Sequence, residues 1–176
     1  MFQEILEMLL TILAIGYMFM DFFVRPSTEF YYSRPGRKEF FMATLAAIPS
    51  VIFHELGHKF VAMSFGAYAV YHIHPFIFLG VLMKYMGFPF IFFVPAYVSV
   101  RGYVTGFQLS MIAVAGPLVN LFVFLFSYLV CRYELVRREK YLFFFVLMQL
   151  NKWLFLFNML PLPGTDGYNF LRGLLL

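Results

Sequence analysis

His54-Glu55-Leu56-Gly57-His58 is the stretch on which the reading of this chain turns. It has the form H-E-x-x-H. On a helix, positions i and i+4 lie on one face about one turn apart, so both imidazoles reach a single metal ion. Glu55 follows the first histidine and is placed to take a proton from water at that ion rather than to bind it. The motif lies inside the apolar run 40–65, roughly the length that crosses a bilayer. Ionisable residues at such depth are costly and mark function. The competing reading is that buried His and Glu only tie helices together through polar contacts. A third ligand elsewhere in the chain separates the two.

The composition sets the class. Of 176 residues, 62% are hydrophobic and 12% charged, more apolar surface than one soluble core buries. Net charge is +4, held in short clusters between apolar runs, so the basic balance reflects membrane flanks and not nucleic acid. A single cysteine, Cys131, excludes an intrachain disulfide and a cysteine-rich metal site, and its place at the end of an apolar run suits inert packing. The first apolar run is too long for a signal-peptide core and lacks a basic start, so it reads as a retained helix.

The pattern predicts about four transmembrane helices, at 3–24, 40–65, 107–130 and 141–160, in one intramembrane core. Residues 1–39 form the first helix and its connection, and 40–176 the catalytic core. The first helix has only Thr11 and Asp21 as interior polar groups and is assigned no chemistry. The connection 25–39 carries Arg25, Arg34, Arg37 and Lys38, with Tyr31 and Tyr32 suited to an interfacial belt. Pro49, one turn before the motif, predicts a kink. His54 lies about 14 residues into its helix, roughly 21 Å of rise, which sets the metal well inside the membrane.

Residues 66–106 are apolar yet punctuated by Pro75, Gly80, Gly87, Pro89, Pro95 and Gly102, so no spanning helix survives there. Residues 91–100 suit a strand. Strand edges cannot face bare lipid, which predicts a partly re-entrant β-loop packed on protein, lining a cavity or lying at the interface. It could pair edge to edge with an extended substrate or serve only as a structural cap. His72 and His74 would share one strand face. With no further ligands nearby, they read as satisfied interfacial histidines and not a second metal site.

The third helix carries Ala115-Gly116-Pro117-Leu118-Val119-Asn120, whose small residues allow tight packing on the motif helix. Asn120 can bond across helices or into the site. After the fourth helix, Asn158-Met159-Leu160-Pro161-Leu162-Pro163-Gly164-Thr165-Asp166-Gly167 breaks the pattern. A broken helix at depth must be buried in protein or line a watery cavity. Asp166 then suits a hard oxygen ligand that joins His54 and His58 around zinc and leaves a fourth position for water. Its other reading is the N-cap of a terminal helix, and both roles can coexist.

HELGH in a membrane helix, then AGPLVN, then NMLPLPGTDG, in that order, resembles the site-2 protease family of intramembrane zinc metalloproteases. The resemblance covers about residues 40–167. It implies one zinc per chain on His54, His58 and Asp166, with Glu55 as the catalytic glutamate. Asn158, Pro161 and Pro163 match the family's Asn-x-x-Pro-x-Pro run, and 66–106 resembles its membrane-associated β-loop. Such enzymes cleave transmembrane segments of other membrane proteins, in regulated intramembrane proteolysis, often of a tethered regulator. Two departures stand out. Thr165 occupies a position where the family has a large apolar residue, and the chain stops about ten residues after Asp166, as a minimal core or as a piece of a longer chain.

Under that resemblance Glu55 moves the proton, and Asn158 or Asn120 stabilises the oxyanion or holds the substrate strand. The expected partners are a transmembrane-segment protein substrate and the lipid bilayer, with no nucleic acid, and the expected location is that of an integral multi-pass protein of the cell membrane; no oligomeric state is assigned. Rival readings are a non-proteolytic zinc-binding scaffold, an ion transporter, and a helical bundle with polar glue that binds no metal. The positive-inside rule sets the basic loops 25–39 and 132–140 towards the cytoplasm, whereas the resemblance puts the β-loop on that side.

Overall fold

The computed structural model describes residues 2–24, 35–88 and 96–176. Tyr31 and Tyr32, Arg25 and Arg34, Pro89, and the first half of the strand expected at 91–100 fall outside the described residues.

Helix α1 (Phe2–Phe19) continues into a 3-10 turn, Met20–Phe23. Its buried stripe, Ile12, Ile15 and Phe19 with Met18 beside them, has helical spacing. Helix α2 (Arg37–Ser64) starts after Gly36, whose N–H donates to Glu39 Oε2 at 2.9 Å. It stays helical through Pro49. Helix α4 (Gly106–Arg132) opens with a true capping box: Thr105 Oγ1 accepts from Gln108 N, and Gln108 Oε1 accepts from Thr105 N. Helix α5 (Arg138–Asn158) ends just before Pro161, and a short α6 (Asp166–Leu175) follows. Four helices are long and apolar enough to cross a membrane: α1 with its 3-10 turn, α2, α4 and α5. Their outward faces carry Phe41, Phe60 and Phe122, a surface suited to lipid.

Between α2 and α4 the punctuated stretch forms β1 (Tyr68–Ile73), a ten-residue helix α3 (Phe76–Tyr85) and β2 (Ala96–Arg101). The two strands pair antiparallel, with Tyr71 opposite Val98 and Ile73 opposite Ala96. Residues 96–100 of the expected strand are therefore extended. Its partner β1 and helix α3 were not foreseen, because an apolar stretch without alternation does not separate helix from strand. The expectation that His72 and His74 share a strand face is corrected: β1 ends at Ile73, and His74 lies beyond it.

Two apolar clusters hold these elements together. One joins α1, α2, α3 and α5 through Ile15, Ala47, Ile77 and Leu150. The other joins the hairpin to α2 and α4 through Ala69, Val98, Ala62 and Ile112. Small residues let α2 and α4 approach: a Cβ on Gly57 would meet the Ala115 carbonyl oxygen at 3.0 Å.

Helix α1 does more than was expected of it. Its first turns meet β1, where Glu4 Oε1 accepts from Tyr71 N at 3.1 Å and Glu7 Oε2 from Ile73 N at 2.8 Å. The Tyr71 hydroxyl donates to Thr11 Oγ1 at 2.6 Å. Burial raises that phenol well above its ordinary range, so it remains a donor. Asp21, exposed in the 3-10 turn, pairs with Lys84 of α3.

Candidate metal centre

Residues 54 and 166 are far apart in sequence, and the fold closes that distance. His54 Nε2 and His58 Nε2 lie 3.0 Å apart on one face of α2. Asp166 Oδ2 lies 3.2 Å from the first and 3.3 Å from the second. For a tetrahedral zinc with bonds of about 2.0–2.1 Å, neighbouring ligand atoms are about 3.3 Å apart. The three donors therefore already form one face of such a tetrahedron. His58 and Asp166 are 0% and 2% exposed, and His54 12%. Among the described residues this is the one group of three His, Cys, Asp or Glu side chains able to share an ion.

The protonation pattern suits the same purpose. His58 Nδ1 lies 2.7 Å from the Ile112 carbonyl oxygen. A carbonyl only accepts, so Nδ1 carries the proton and Nε2 offers its lone pair. Without an ion, two imidazole nitrogens and a carboxylate oxygen would crowd together with at most one proton between any pair. The donor set fits a soft-to-borderline divalent metal such as zinc.

Asp166 reaches the histidines because its neighbours keep it free. The N-cap of α6 is Thr165 and not Asp166: Thr165 Oγ1 accepts from Tyr168 N at 3.2 Å. This corrects the capping role considered for Asp166, which begins the first helical turn instead. The same Thr165 hydroxyl donates back into the Pro-rich turn, where the Leu160 carbonyl oxygen lies at 2.5 Å and that of Leu162 at 2.8 Å. A large apolar side chain at this position could make neither contact. Gly164 takes φ +90°, and a Cβ there would meet His74 Nε2 at 2.6 Å. The ligand loop is thus packed against the end of β1 through His74. His72 faces Ser99 instead, with Nε2 3.1 Å from Oγ.

Glu55 is 1% exposed, and neither of its carboxylate oxygens has a hydrogen-bond partner among the described residues. A pocket beside His54 is lined by Thr11 and Tyr71, by Ser50, by Ala96 of β2, and by Asn120 and Asn158. Both asparagines are almost fully buried. The Asn120 amide sits beside the His54 ring without a well-formed hydrogen bond among the described residues, and Oδ1 of Asn158 lacks a partner among them. Buried polar groups are rarely left so unless another molecule completes them. The structure thus brings Asn120 and Asn158 to the pocket that holds His54. Cys131 is a buried free thiol, away from these groups.

A protein of Methanocaldococcus jannaschii named "Putative zinc metalloprotease" is 30% identical in an alignment of 175 positions that covers 97% of this chain and 84% of the relative. The chain belongs to this zinc metalloprotease family. No protein-family model matches the chain, and no solved structure does.

Seen as a metalloprotease, the chain contains site residues that its sequence showed only as packing. A Cβ on Gly116 would meet His58 Nε2 at 2.2 Å and His54 Nε2 at 2.8 Å, so this glycine is a wall of the metal cage. Ile112 contributes through its carbonyl, which no side-chain pattern reveals. Lys59 lies one residue past the second ligand, with Nζ 3.8 Å from Glu55 Oε1. The AGP segment was the available signal for Gly116.

Proposed function

We propose that this chain is a site-2-type intramembrane zinc metalloprotease that hydrolyses peptide bonds within or near transmembrane segments of other membrane proteins. The observation that carries the reading is the convergence of His54, His58 and Asp166 donor atoms to within 3.3 Å of each other inside a bundle of apolar helices. His54, His58 and Asp166 would hold one zinc ion. When bound, the ion supplies Lewis-acid chemistry, polarising a carbonyl and lowering the pKa of water towards neutrality.

The chain's own residues do the rest. Glu55 takes the proton of the attacking water and hands it to the leaving amine. Its carboxylate has no competing hydrogen bond among the described residues, so it is available for that task. Asn120 and Asn158 line the pocket, where their amide N–H groups would hold the substrate backbone or the developing oxyanion and the partnerless Oδ1 of Asn158 would accept from a substrate N–H. His54 is the ligand open to this pocket, which has room for a water beside the metal ligands.

A helical substrate hides its carbonyls in its own hydrogen bonds and must unwind before attack. The hairpin favours that step. Glu4 and Glu7 occupy the outer edge of β1, at Tyr71 and Ile73. In an antiparallel pair with this register, Ala96, Val98 and Val100 then turn their backbone groups away from β1. That β2 edge is where an extended substrate segment adds on, with the hairpin lying partly re-entrant at the membrane face. The protein acts as a multi-pass protein of the cell membrane.

The test is metal analysis of purified protein paired with cleavage of a membrane substrate. Wild type should carry one zinc and cleave, and a chelator should stop cleavage until zinc is returned. Glu55→Gln should keep zinc and lose activity by ~10²-fold or more. A full-rate Glu55→Gln variant would remove Glu55 from its role. Zinc uptake into vesicles without cleavage would favour a transporter.

A further inference from the structure

Glu55 is buried on α2 without a hydrogen bond among the described residues, yet it is not electrostatically alone. Lys59, one turn further along the same face, sets its Nζ 3.8 Å from Glu55 Oε1. A lysine near a helix end ordinarily extends its stem and carries its charge out to water. Lys59 is held in place instead. Its ammonium donates to Glu4 Oε1 at 3.0 Å, and that same oxygen accepts from Tyr71 N at 3.1 Å. Three elements meet at this carboxylate: the start of α1, the end of α2 and the outer edge of β1. The neighbouring Glu7 bond to Ile73 N fixes the α1–β1 side of the junction.

We propose that Lys59 is a positioning residue for Glu55. Tethered through Glu4 to α1 and β1, it holds a fixed positive charge beside the buried carboxylate and keeps one of its oxygens turned towards α1. The other oxygen is thereby oriented for proton transfer. The first helix, which the sequence left without a role, then contributes to catalysis through Glu4. This inference rests on the reading of Glu55 as the proton carrier. A tie that merely joined α1 to α2 would need only the Lys59–Glu4 bond, and its loss would lower stability without a specific effect on turnover.

The experiment uses the full chain in detergent or liposomes, loaded with zinc, and a membrane-protein substrate. It compares wild type, Glu55→Gln, Lys59→Met, Lys59→Arg, Glu4→Gln and the Glu4→Gln/Lys59→Met double variant. Lys59→Met should keep its zinc and lower kcat about tenfold or more, with KM within about twofold of wild type. Lys59→Arg should recover most of the loss. Glu4→Gln should give a smaller fall in kcat, and the double variant should be no slower than Lys59→Met alone, since both act through one contact. Any of three results overturns the proposal while wild type is active and Glu55→Gln is not: kcat of Lys59→Met at the wild-type level, zinc lost together with activity, or strictly additive effects of Glu4 and Lys59. If Lys59→Met does not fold, Glu4→Gln decides alone, and an unchanged kcat there overturns the proposal. Activity that persists in Glu55→Gln would overturn the underlying reading of Glu55 and this inference with it.

Discussion

Gly116 lies directly against His58: a methyl group on its α-carbon would come within 2.2 Å of the Nε2 that faces Asp166. The contact involves imidazole atoms held by the Ile112 hydrogen bond, so the ring cannot simply swing aside. Gly116→Ala should therefore displace His58 and abolish stoichiometric zinc binding. Metal analysis of the purified variant, with circular dichroism as a control for helix content, checks this. Full zinc occupancy would show that the cage is looser than the geometry indicates.

Asp166 supplies the one anionic donor of the set. Asp166→Asn keeps the shape but replaces a carboxylate with a neutral amide, a much poorer zinc ligand. Zinc affinity should fall by far more than the ~10–100-fold typical of outer residues around a metal. Competition with a chromophoric chelator measures it, and an unchanged affinity would take Asp166 out of the ligand set.

Thr165 caps α6 and ties back to the Leu160 and Leu162 carbonyls. Thr165→Val preserves the volume and removes both contacts. The lost cap should cost about 1 kcal/mol of stability. Because the loop carries Asp166, zinc affinity should fall as well, by about tenfold. Thr165→Ser should restore both in thermal unfolding and chelator competition.

Asn158 and Asn120 line the pocket beside His54, and neither is among the three donors. Asn158→Ala and Asn120→Ala should leave zinc content unchanged. If either amide stabilises the oxyanion, its removal should lower kcat by ~10²–10³-fold. An amide that only holds bound substrate would instead raise KM. Steady-state cleavage at several substrate concentrations separates the two.

The four long helices were legible because each is an apolar run bounded by charge or proline, and their ends shifted by only a few residues. The hairpin was half legible. Residues 96–100 carried strand-forming side chains, but β1 became a strand only by pairing with them. Glu4 and Glu7 looked like an ordinary polar helix start. Their function depends on the strand N–H groups of Tyr71 and Ile73, nearly seventy residues away, which no local pattern records.

His54, Glu55 and His58 are bound to one another by helical spacing alone, so the order of residues along the chain was enough to place two imidazoles on one face. Asp166 could be named from its broken-helix setting, since proline and glycine at depth demand a reason. Its distance from the histidines was a matter for the tertiary structure. So were the glycine that leaves room for the ion, the Ile112 carbonyl that sets the His58 tautomer, and the lysine held beside Glu55. Each of these depends on how separate helices cross. Crossing is fixed by side-chain packing between distant segments, and the linear sequence does not state which segments meet.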